Sequence, residues 1–372
     1  MTSSKRVVVA MSGGVDSSVA AALLVEQGYE VIGMMLRLWS EPGTEANNRC
    51  CTPDSIALAR QVASKLGIAF YVLDVRQPFH DIVVNNFLTD YSRGITPNPC
   101  INCNRSIRFG LLLEHALAFG ADQLATGHYA QVRKDADGKF QLLRAMDREK
   151  DQSYVLHILN QQQISRSMFP IGEYTKGHVR QLANQYDLPV ASRRDSQDLC
   201  FLAGEDYRSF LLRNSPEALK PGKIVTKAGQ ILGNHPGLAL FTIGQRKGLG
   251  VTSGRPMYVI SKDIPNNYLV IGTLEDLGSS SLVSKNFNWI NPDLPNEPFQ
   301  AQVKIRYKSA DAQGTIFPRS DNTVFIEFAQ PMRDITPGQA AVVYQDRLCL
   351  GGGIIEQSDP PIHLTLNQEK QL

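Results

Sequence analysis

Residues Val7–Ser18 read VVVAMSGGVDSS, a short β-branched run that leads through a glycine turn into a helical segment. The pattern predicts a strand at 7–10 and a helix at 16–27, and the apolar run at 31–36 predicts a second strand. A strand, a helix and a strand in this order form a right-handed unit within a parallel sheet. This unit therefore fixes the class of fold that the first half of the chain can adopt.

The alternation of strands and helices continues along the chain. Further helices are predicted at 54–66, 79–91, 105–119 and 175–186, and further extended segments at 70–75, 123–126 and 129–133. Such alternation is typical of a doubly wound α/β domain. After residue 206 glycines become frequent and short alternating segments replace the helices, which predicts small β-rich domains.

The length and charge of the chain limit its number of domains and its possible partners. The chain has 372 residues, enough for two or three domains. It has no apolar run near the roughly 20 residues that span a bilayer, and its first residues lack a secretory signal, so we expect a cytoplasmic protein with no membrane contact. The net charge of +2 neither requires nor excludes nucleic acid. An RNA site would depend on local basic clusters, such as those at 144–150 and 304–308.

The glycine turn has the features of an anion site. Gly13 and Gly14 allow the backbone to approach a ligand, and Ser12, Ser17 and Ser18 offer hydroxyl groups. The first amides of the following helix would point at the same place. The common phosphate loops GxxxxGK[ST] and GxGxxG are both absent. The alternative interpretation is a tight turn that is glycine-rich for structural reasons alone.

SGGVDSS resembles the loop of the PP-loop (N-type) ATP pyrophosphatases, which cleave ATP between its α- and β-phosphates. The resemblance implies that Asp16 helps to organise Mg²⁺ and phosphate, that Met35 packs against adenine and that Gly127 lets the nucleotide approach. The implied ATP-binding residues are Ala10, Met11, Ser12, Gly13, Gly14, Val15, Asp16, Ser17, Ser18, Met35 and Gly127.

Further motifs narrow the family. They are TPNPCINCN at 96–104, ATGHYA at 125–130, KDQSY at 150–154, DSQDLCF at 195–201, TIGQRKGLG at 242–250 and TPGQAAV at 336–342. Their order and spacing resemble the tRNA-specific 2-thiouridylases over nearly the whole chain. This implies a PP-loop ATPase domain with a doubly wound parallel sheet at 1–206, a central β-rich domain at 207–283 and a C-terminal β-barrel-like domain at 284–372.

The same resemblance implies ATP-dependent 2-thiolation of the wobble uridine (U34) in tRNA, by adenylation of its C2 oxygen. Glutamate, glutamine and lysine tRNAs would be the acceptors, and a cysteine desulfurase or a sulfur-relay protein the donor. Cys200 would receive the sulfur as a persulfide, and Cys103 would be its catalytic partner. The implied tRNA-binding residues are Asn98, Pro99, Cys100, His128, Lys150, Asp151, Gln152, Arg306, Tyr307 and Gln339.

The cysteines leave alternatives open. Some relatives carry Asp where this chain has Cys100, and Cys100, Cys103 and Cys200 together could hold a 4Fe–4S cluster or zinc instead. For thiolate chemistry, the neighbouring arginines, among them Arg105, Arg108 and Arg193, would supply positive charge. Cys50 and Cys51 fall in a polar loop that we expect to be exposed, whereas Cys349 falls in an apolar strand and is expected in the core.

Two rival functions also remain open. One is another PP-loop reaction, such as amide ligation or synthesis of an arginine precursor. The other is a tRNA-binding or sulfur-carrier protein with a relict ATP site. The paired cysteines argue against the first and the intact SGGVDSS loop against the second.

Overall fold

The computed structural model describes residues 5–44, 52–193, 199–293 and 297–359. Cys50, Cys51 and residues 195–198 of the DSQDLCF motif lie outside these ranges. Within the ranges, no helix is long and apolar enough to cross a membrane.

Five parallel strands form the N-terminal sheet. The first seven strands are β1 (Arg6–Ala10), β2 (Glu30–Arg37), β3 (Ala69–Asp74), β4 (Gln123–Thr126), β5 (Ala130–Lys134), β6 (Phe140–Arg144) and β7 (Ser167–Met168). The sheet has the order β3-β2-β1-β4-β7, and all four of its pairings are parallel. The predicted doubly wound α/β domain is therefore confirmed. The predicted extended segment 129–133 corresponds to β5, which pairs with β6 in an antiparallel hairpin outside this sheet.

Helices cover the sheet and connect its strands. They are α1 (Val15–Glu26), α2 (Pro53–Lys65), α3 (Arg76–Phe79), α4 (Asn85–Ser92), α5 (Pro99–Asn102), α6 (Leu113–Ala118), α7 (Ser153–Leu156), α8 (Gln161–Ser165), α9 (Lys176–Gln185) and α10 (Tyr207–Asn214). All residues from Val7 to Val9 and most of α1 are buried, as expected for a central strand and helix of an α/β domain.

Two of the predicted helices are wound more widely than an α-helix over part of their length. His80–Val84 joins α3 to α4 as a π-helical segment, and Cys103–Leu112 joins α5 to α6 in the same way. Spacing of apolar residues does not separate an α-helix from a π-helix over so few turns. π-Helical turns are frequent at functional sites, and Cys103 begins the longer one.

The second half of the chain forms two β-structures. The strands are β8 (Gly222–Thr226), β9 (Ile231–His235), β10 (Tyr258–Asp263), β11 (Tyr268–Gly272), β12 (Ser279–Trp289), β13 (Phe299–Lys304), β14 (Ala312–Pro318), β15 (Val324–Met332), β16 (Ala340–Gln345) and β17 (Leu348–Asp359). Strands β8–β11 form a small sheet with the order β10-β11-β8-β9. Strands β12–β17 follow the order β12-β15-β14-β13-β16-β17, and a β12–β17 pairing closes them into a barrel.

The barrel is joined to the N-terminal domain through its backbone. Strand β6 of that domain pairs with β17, where Leu348 and Cys349 lie opposite Leu143 and Leu142. Cys349 is 1% exposed, so its predicted core position is confirmed. Strand β12 begins at Ser279 and therefore crosses the predicted boundary at residue 284.

Candidate nucleotide and sulfur-transfer site

The glycine turn lies between the end of β1 and the start of α1. Gly13 has a φ of +68°, and a side chain there would place its Cβ 2.5 Å from the carbonyl oxygen of Ser55. The amide of Ser12 donates to Ser17 Oγ at 3.2 Å, and Ser18 Oγ donates to the carbonyl oxygen of Gly14 at 2.8 Å. Gly14 caps α1 without a side-chain hydrogen bond, so the first amides of the helix can donate to an anion.

Asp16 is held by two residues from distant parts of the chain. The hydroxyl of Tyr129 donates to Asp16 Oδ1 at 2.8 Å, and Lys176 Nζ lies 2.8 and 3.0 Å from the two carboxylate oxygens. The Asp16 side chain is still 33% exposed. A fixed, accessible carboxylate beside a phosphate loop fits the oxygen-ligand preference of Mg²⁺. Sequence reasoning missed Tyr129 and Lys176, because no spacing relates either residue to Asp16.

Arg193 braces the loop from its other side. Its Nη1 donates to the carbonyl oxygen of Gly13 at 2.6 Å, and its Nη2 donates to Ser55 Oγ at 2.8 Å. Arg193 therefore has a role at the phosphate loop that sequence reasoning missed, and its predicted effect on the cysteines stays a prediction. Ser55 belongs to the first turn of α2, so Arg193 ties the loop to that helix.

Gly127 lies next to the start of α1, and Met35 lies on β2, the strand beside β1. A Cβ at Gly127 would lie 2.6 Å from the amide nitrogen of Ser17, so this glycine is required for the packing of β4 against α1. Met35 is 1% exposed and packs within β2. Contacts of these two residues with a nucleotide stay predictions.

Cys103 and Cys200 pack against the same hydrophobic cluster, which includes Phe87, Phe201 and Phe210. Both cysteines are partly buried, and Phe201 contacts Phe87 at a ring-centroid distance of 5.1 Å. The two thiols, which are 97 positions apart in the sequence, therefore border one hydrophobic cluster of the same domain.

The structure gives no support to a 4Fe–4S cluster or a zinc ion at the cysteines. Cys100 is exposed on α5. Among the described residues, which include Cys100, Cys103 and Cys200, no three His, Cys, Asp or Glu side chains form a group that could hold a metal ion. The donor set for a 4Fe–4S cluster or for zinc is thus missing from this part of the chain, and no step of the chemistry is assigned to either.

His128 is buried at the end of β4. Arg108 Nη1 lies 3.2 Å from His128 Nε2, and Thr126 Oγ1 lies 2.8 Å from Nδ1. Because a guanidinium can only donate, Nε2 accepts and Nδ1 carries the ring proton. Burial, together with the charge of Arg108, lowers the pKa of His128 well below its usual value, so the ring is neutral. With the ring only 5% exposed, its predicted tRNA contact stays a prediction.

The motif around Cys100 meets the barrel. Asn98 caps α5 by accepting from the amide of Cys100 at 3.2 Å, and Gln339 Nε2 donates to the carbonyl oxygens of Thr96 and Pro97 at 2.9 and 3.2 Å. Burial raises the pKa of Tyr307 to about 12, and the charges of Asp151 and Cys100 add to this effect. Five of the predicted tRNA-binding residues, Asn98, Pro99, Cys100, Tyr307 and Gln339, are thus brought to one junction between the domains.

Two other predicted tRNA-binding residues have internal partners. Asp151 is 3% exposed and accepts from the amides of Ala145 and Ser153 at 3.0 and 3.2 Å. Arg306 donates to the carbonyl oxygen of Ile243 at 3.0 Å and to the hydroxyl of Thr336, so it links the central domain to the barrel. These contacts give both side chains a structural role, and contact with tRNA stays a prediction.

Gln152 is linked to the loop indirectly, by hydrogen bonds to Tyr129, which contacts Asp16. Its Oε1 accepts from the amide of Tyr129 at 3.0 Å, and its own amide donates to the carbonyl oxygen of Tyr129 at 2.8 Å. Tyr129 therefore connects the KDQSY segment, in which Lys150 is partly exposed, to Asp16.

Tyr129→Phe removes the hydroxyl that donates to Asp16. We expect the Mg²⁺ concentration for half-maximal pyrophosphate release to rise by about tenfold or more, because one hydrogen bond to a charged group contributes about 1.5–3 kcal/mol. Tyr186→Phe is the matched control, because the Tyr186 hydroxyl donates to Glu26 at 2.6 Å at the far end of the same helix. An equal Mg²⁺ requirement in both variants would contradict the role of Tyr129.

Comparisons with known proteins agree along nearly the whole chain. Three family models match it: "tRNA methyl transferase HUP domain" at residues 5–204, "tRNA methyl transferase PRC-barrel domain" at 208–273 and "Aminomethyltransferase beta-barrel domain" at 279–355. Among solved structures, NMN synthetase from Francisella tularensis is 16% identical and covers 58% of this chain and 76% of its own, with a TM-score of 0.35. A TM-score of 0.35 is too low to support a structural argument.

The curated relatives are much closer. A tRNA-specific 2-thiouridylase MnmA from Magnetococcus marinus is 46% identical, over 95% of this chain and 100% of its own. Its counterparts from Heliobacterium modesticaldum and Clostridium perfringens are 47% and 44% identical, over 94% and 95% of this chain and 92% and 98% of their own. The chain belongs to the tRNA-specific 2-thiouridylase family, within the PP-loop superfamily.

Proposed function

We propose that this protein is a tRNA-uridine 2-sulfurtransferase that uses ATP to thiolate the wobble uridine. The observation that carries the proposal is the presence, on one domain, of a braced phosphate loop and of two thiols packed against one hydrophobic cluster. The close relatives named tRNA-specific 2-thiouridylase support the acceptor. ATP and tRNA are substrates in this scheme.

The first step activates the base. The C2 oxygen of uridine attacks the α-phosphorus of ATP, pyrophosphate leaves, and an adenylated uridine forms. The open amides of α1 and the hydroxyl groups of the loop would hold the departing pyrophosphate. Mg²⁺, which Asp16 is suited to bind, would neutralise phosphate charge. Lys176 and Tyr129 keep the Asp16 carboxylate in place.

The second step transfers sulfur. The terminal sulfur of a persulfide on Cys200 attacks C2, and AMP leaves with the bonding electron pair. The Cys103 thiolate then attacks the Cys200 sulfur, so that the sulfur–sulfur bond breaks and the base keeps the transferred atom as 2-thiouridine. The resulting Cys103–Cys200 disulfide needs an external thiol reductant before the next turnover.

The persulfide must come from outside the protein. A cysteine desulfurase or a sulfur-relay protein is the proposed donor, and glutamate, glutamine and lysine tRNAs are the proposed acceptors. The cytoplasm is the proposed location of the reaction. No chemical step of this scheme requires a metal cluster. Among the described residues, no set of three His, Cys, Asp or Glu side chains could hold one.

The products of ATP test the first step. With ATP labelled at the α-phosphate, unmodified tRNA should stimulate release of labelled AMP and of pyrophosphate by at least about tenfold. ADP and inorganic phosphate as the products would contradict the PP-loop chemistry. Pyrophosphate release that is independent of tRNA would favour the amide-ligation class, and no ATP cleavage at all would favour a carrier protein.

A further inference from the structure

A surface cavity of about 380 Å³ lies where the segment after β6 meets the end of β13. Its lining includes Arg144, Arg148, Gln302, Lys304, Asp311 and Asp346. The two basic clusters at 144–150 and 304–308, which are far apart in the sequence, therefore converge on one cavity at the junction of two domains.

Lys304 is the residue of this cavity that most requires a ligand. It is 9% exposed, and its ammonium group makes no hydrogen bond or ion pair with the part of the chain that the structure describes. Burial is the largest influence on this group and lowers its pKa, with the charges of Arg144 and Arg148 acting in the same direction and those of Asp151 and Asp311 in the opposite one. An ammonium group on a largely buried side chain that has no hydrogen bond or ion pair is stabilised when an anion binds beside it.

Two of the three carboxylates near the cavity, those of Asp311 and Asp151, are engaged by other groups of the protein. Arg144 Nη2 donates to Asp311 at 2.8 Å, and the guanidinium lies 3.5 Å from the centroid of the Tyr344 ring. Asp151 accepts from two backbone amides and from the hydroxyl of Ser153, and it lies 3.9 Å from Arg144. Asp346 is exposed to solvent.

Three cationic donors remain for a ligand. Arg148 is exposed and has no ion pair among the described residues, and the largely buried Lys304 lines the same cavity. Arg144 also lines the cavity, and its buried Nε has no hydrogen-bond partner among the described residues. Two cations and an unsatisfied guanidinium N–H group suit a tetrahedral oxyanion such as phosphate.

We propose that this cavity binds a phosphate group of the tRNA backbone. The inference rests on the proposed function, because it takes tRNA to be the substrate. Asp151, which lies beside Arg144, belongs to the KDQSY segment, and Tyr307 follows Lys304 by three residues. The cavity thus lies between two segments that are predicted to contact tRNA. RNA presents a phosphate at each nucleotide, so a strand crossing this junction would bring one within reach.

Lys304→Met tests the proposal through tRNA binding measured at several salt concentrations. Loss of one charged contact should weaken binding about tenfold and lower the slope of log K against log salt by about one. Lys285→Met is the control, because Lys285 is an exposed lysine on the same barrel that pairs with Glu356. Equal affinity and slope in the Lys304→Met, Lys285→Met and unmodified proteins would overturn the proposal.

Thermal unfolding separates a binding role from a structural one. Without tRNA, Lys304→Met should have a Tm no lower than that of the unmodified protein, because methionine keeps the packing of the carbon chain and no hydrogen bond or ion pair of the ammonium group within the described residues is lost. A lower Tm with unchanged tRNA affinity would show that Lys304 serves packing alone. If Lys304→Met does not fold, the exposed Arg148→Gln variant provides the same test, since it should lower the salt slope without affecting Tm.

Inorganic phosphate distinguishes the source of the anion. If phosphate raises the Tm of the unmodified protein and not of Lys304→Met, while both bind tRNA equally, the cavity binds free phosphate and the tRNA assignment is wrong. Failure of the unmodified protein to thiolate tRNA would instead count against the proposed function. The altered salt slope of Lys304→Met would still stand in that case.

Discussion

Cys103→Ser and Cys200→Ser should each abolish formation of 2-thiouridine, with rates lower by roughly three orders of magnitude or more, the scale seen when a catalytic nucleophile is lost. A serine hydroxyl neither carries a transferable sulfur nor attacks a sulfur–sulfur bond at neutral pH. Both side chains lie at the edge of one hydrophobic cluster, so the exchange should leave the fold intact. Far-ultraviolet circular dichroism and Tm would verify this.

The two half-reactions make this prediction sharper. Adenylation precedes sulfur transfer, so both serine variants should still release pyrophosphate when tRNA is added. Cys100→Ser is the control, because Cys100 is exposed one helical turn before Cys103. Cys100→Ser should keep most of the thiolation activity under the persulfide scheme. A reaction that depends on a 4Fe–4S cluster would instead lose activity in all three variants. Near-normal thiolation by Cys103→Ser or Cys200→Ser would remove that residue from the mechanism.

Gly13→Ala should nearly eliminate pyrophosphate release, with a loss of at least about a hundredfold. The residue has a φ of +68°, and an added Cβ would lie 2.5 Å from the Ser55 carbonyl oxygen and 3.2 Å from Arg193 Nη1. Backbone atoms cannot give way cheaply, so the loop would shift away from α2 and lose its Arg193 brace. Misplacement of a substrate by about 1 Å can cost a hundredfold in rate.

Gly28→Ala is the matched control for this change. Gly28 has a φ of +81°, but an added Cβ would have no neighbour within 4 Å. The control therefore carries the backbone strain of about 1 kcal/mol without the clash. We expect it to lower Tm slightly and to leave pyrophosphate release unchanged. Equal activity losses in the two variants would show that strain alone, and not the loop geometry, explains the effect.

The sequence was sufficient for the features that local patterns encode. The β-branched run at 7–9, the glycine turn and the following helix predicted the first unit of the parallel sheet, because strand and helix periodicities differ. Cys349 was assigned to the core from the alternation of its strand. These inferences needed only neighbouring residues.

Partners across long sequence separations could not be predicted in this way. Asp16 meets Tyr129 and Lys176, which follow it by 113 and 160 positions. Arg193 was expected to supply positive charge to the cysteines because it lies seven residues before Cys200. In the fold its guanidinium donates to the carbonyl oxygen of Gly13, a contact that sequence proximity did not indicate. Such contacts depend on the order of strands in the sheet, which a single sequence does not specify.

Burial was the other property that motifs left open. Asp151 and His128 were expected to face tRNA, and the structure encloses both side chains. Conversely, the sequence showed Arg144 and Lys304 only as members of two separate basic clusters. In the structure the barrel packs against the hairpin of β5 and β6, and both residues line one cavity. A charged residue in a sequence reveals its chemistry and not its depth.

Nucleoside analysis of tRNA tests the central claim most directly. Total tRNA from cells lacking this protein should contain no 2-thiouridine at the wobble position of the glutamate, glutamine and lysine acceptors. Expression of the unmodified protein should restore the modification, and expression of Cys200→Ser should not. Normal 2-thiouridine in the deletion cells, or its restoration by Cys200→Ser, would contradict the account.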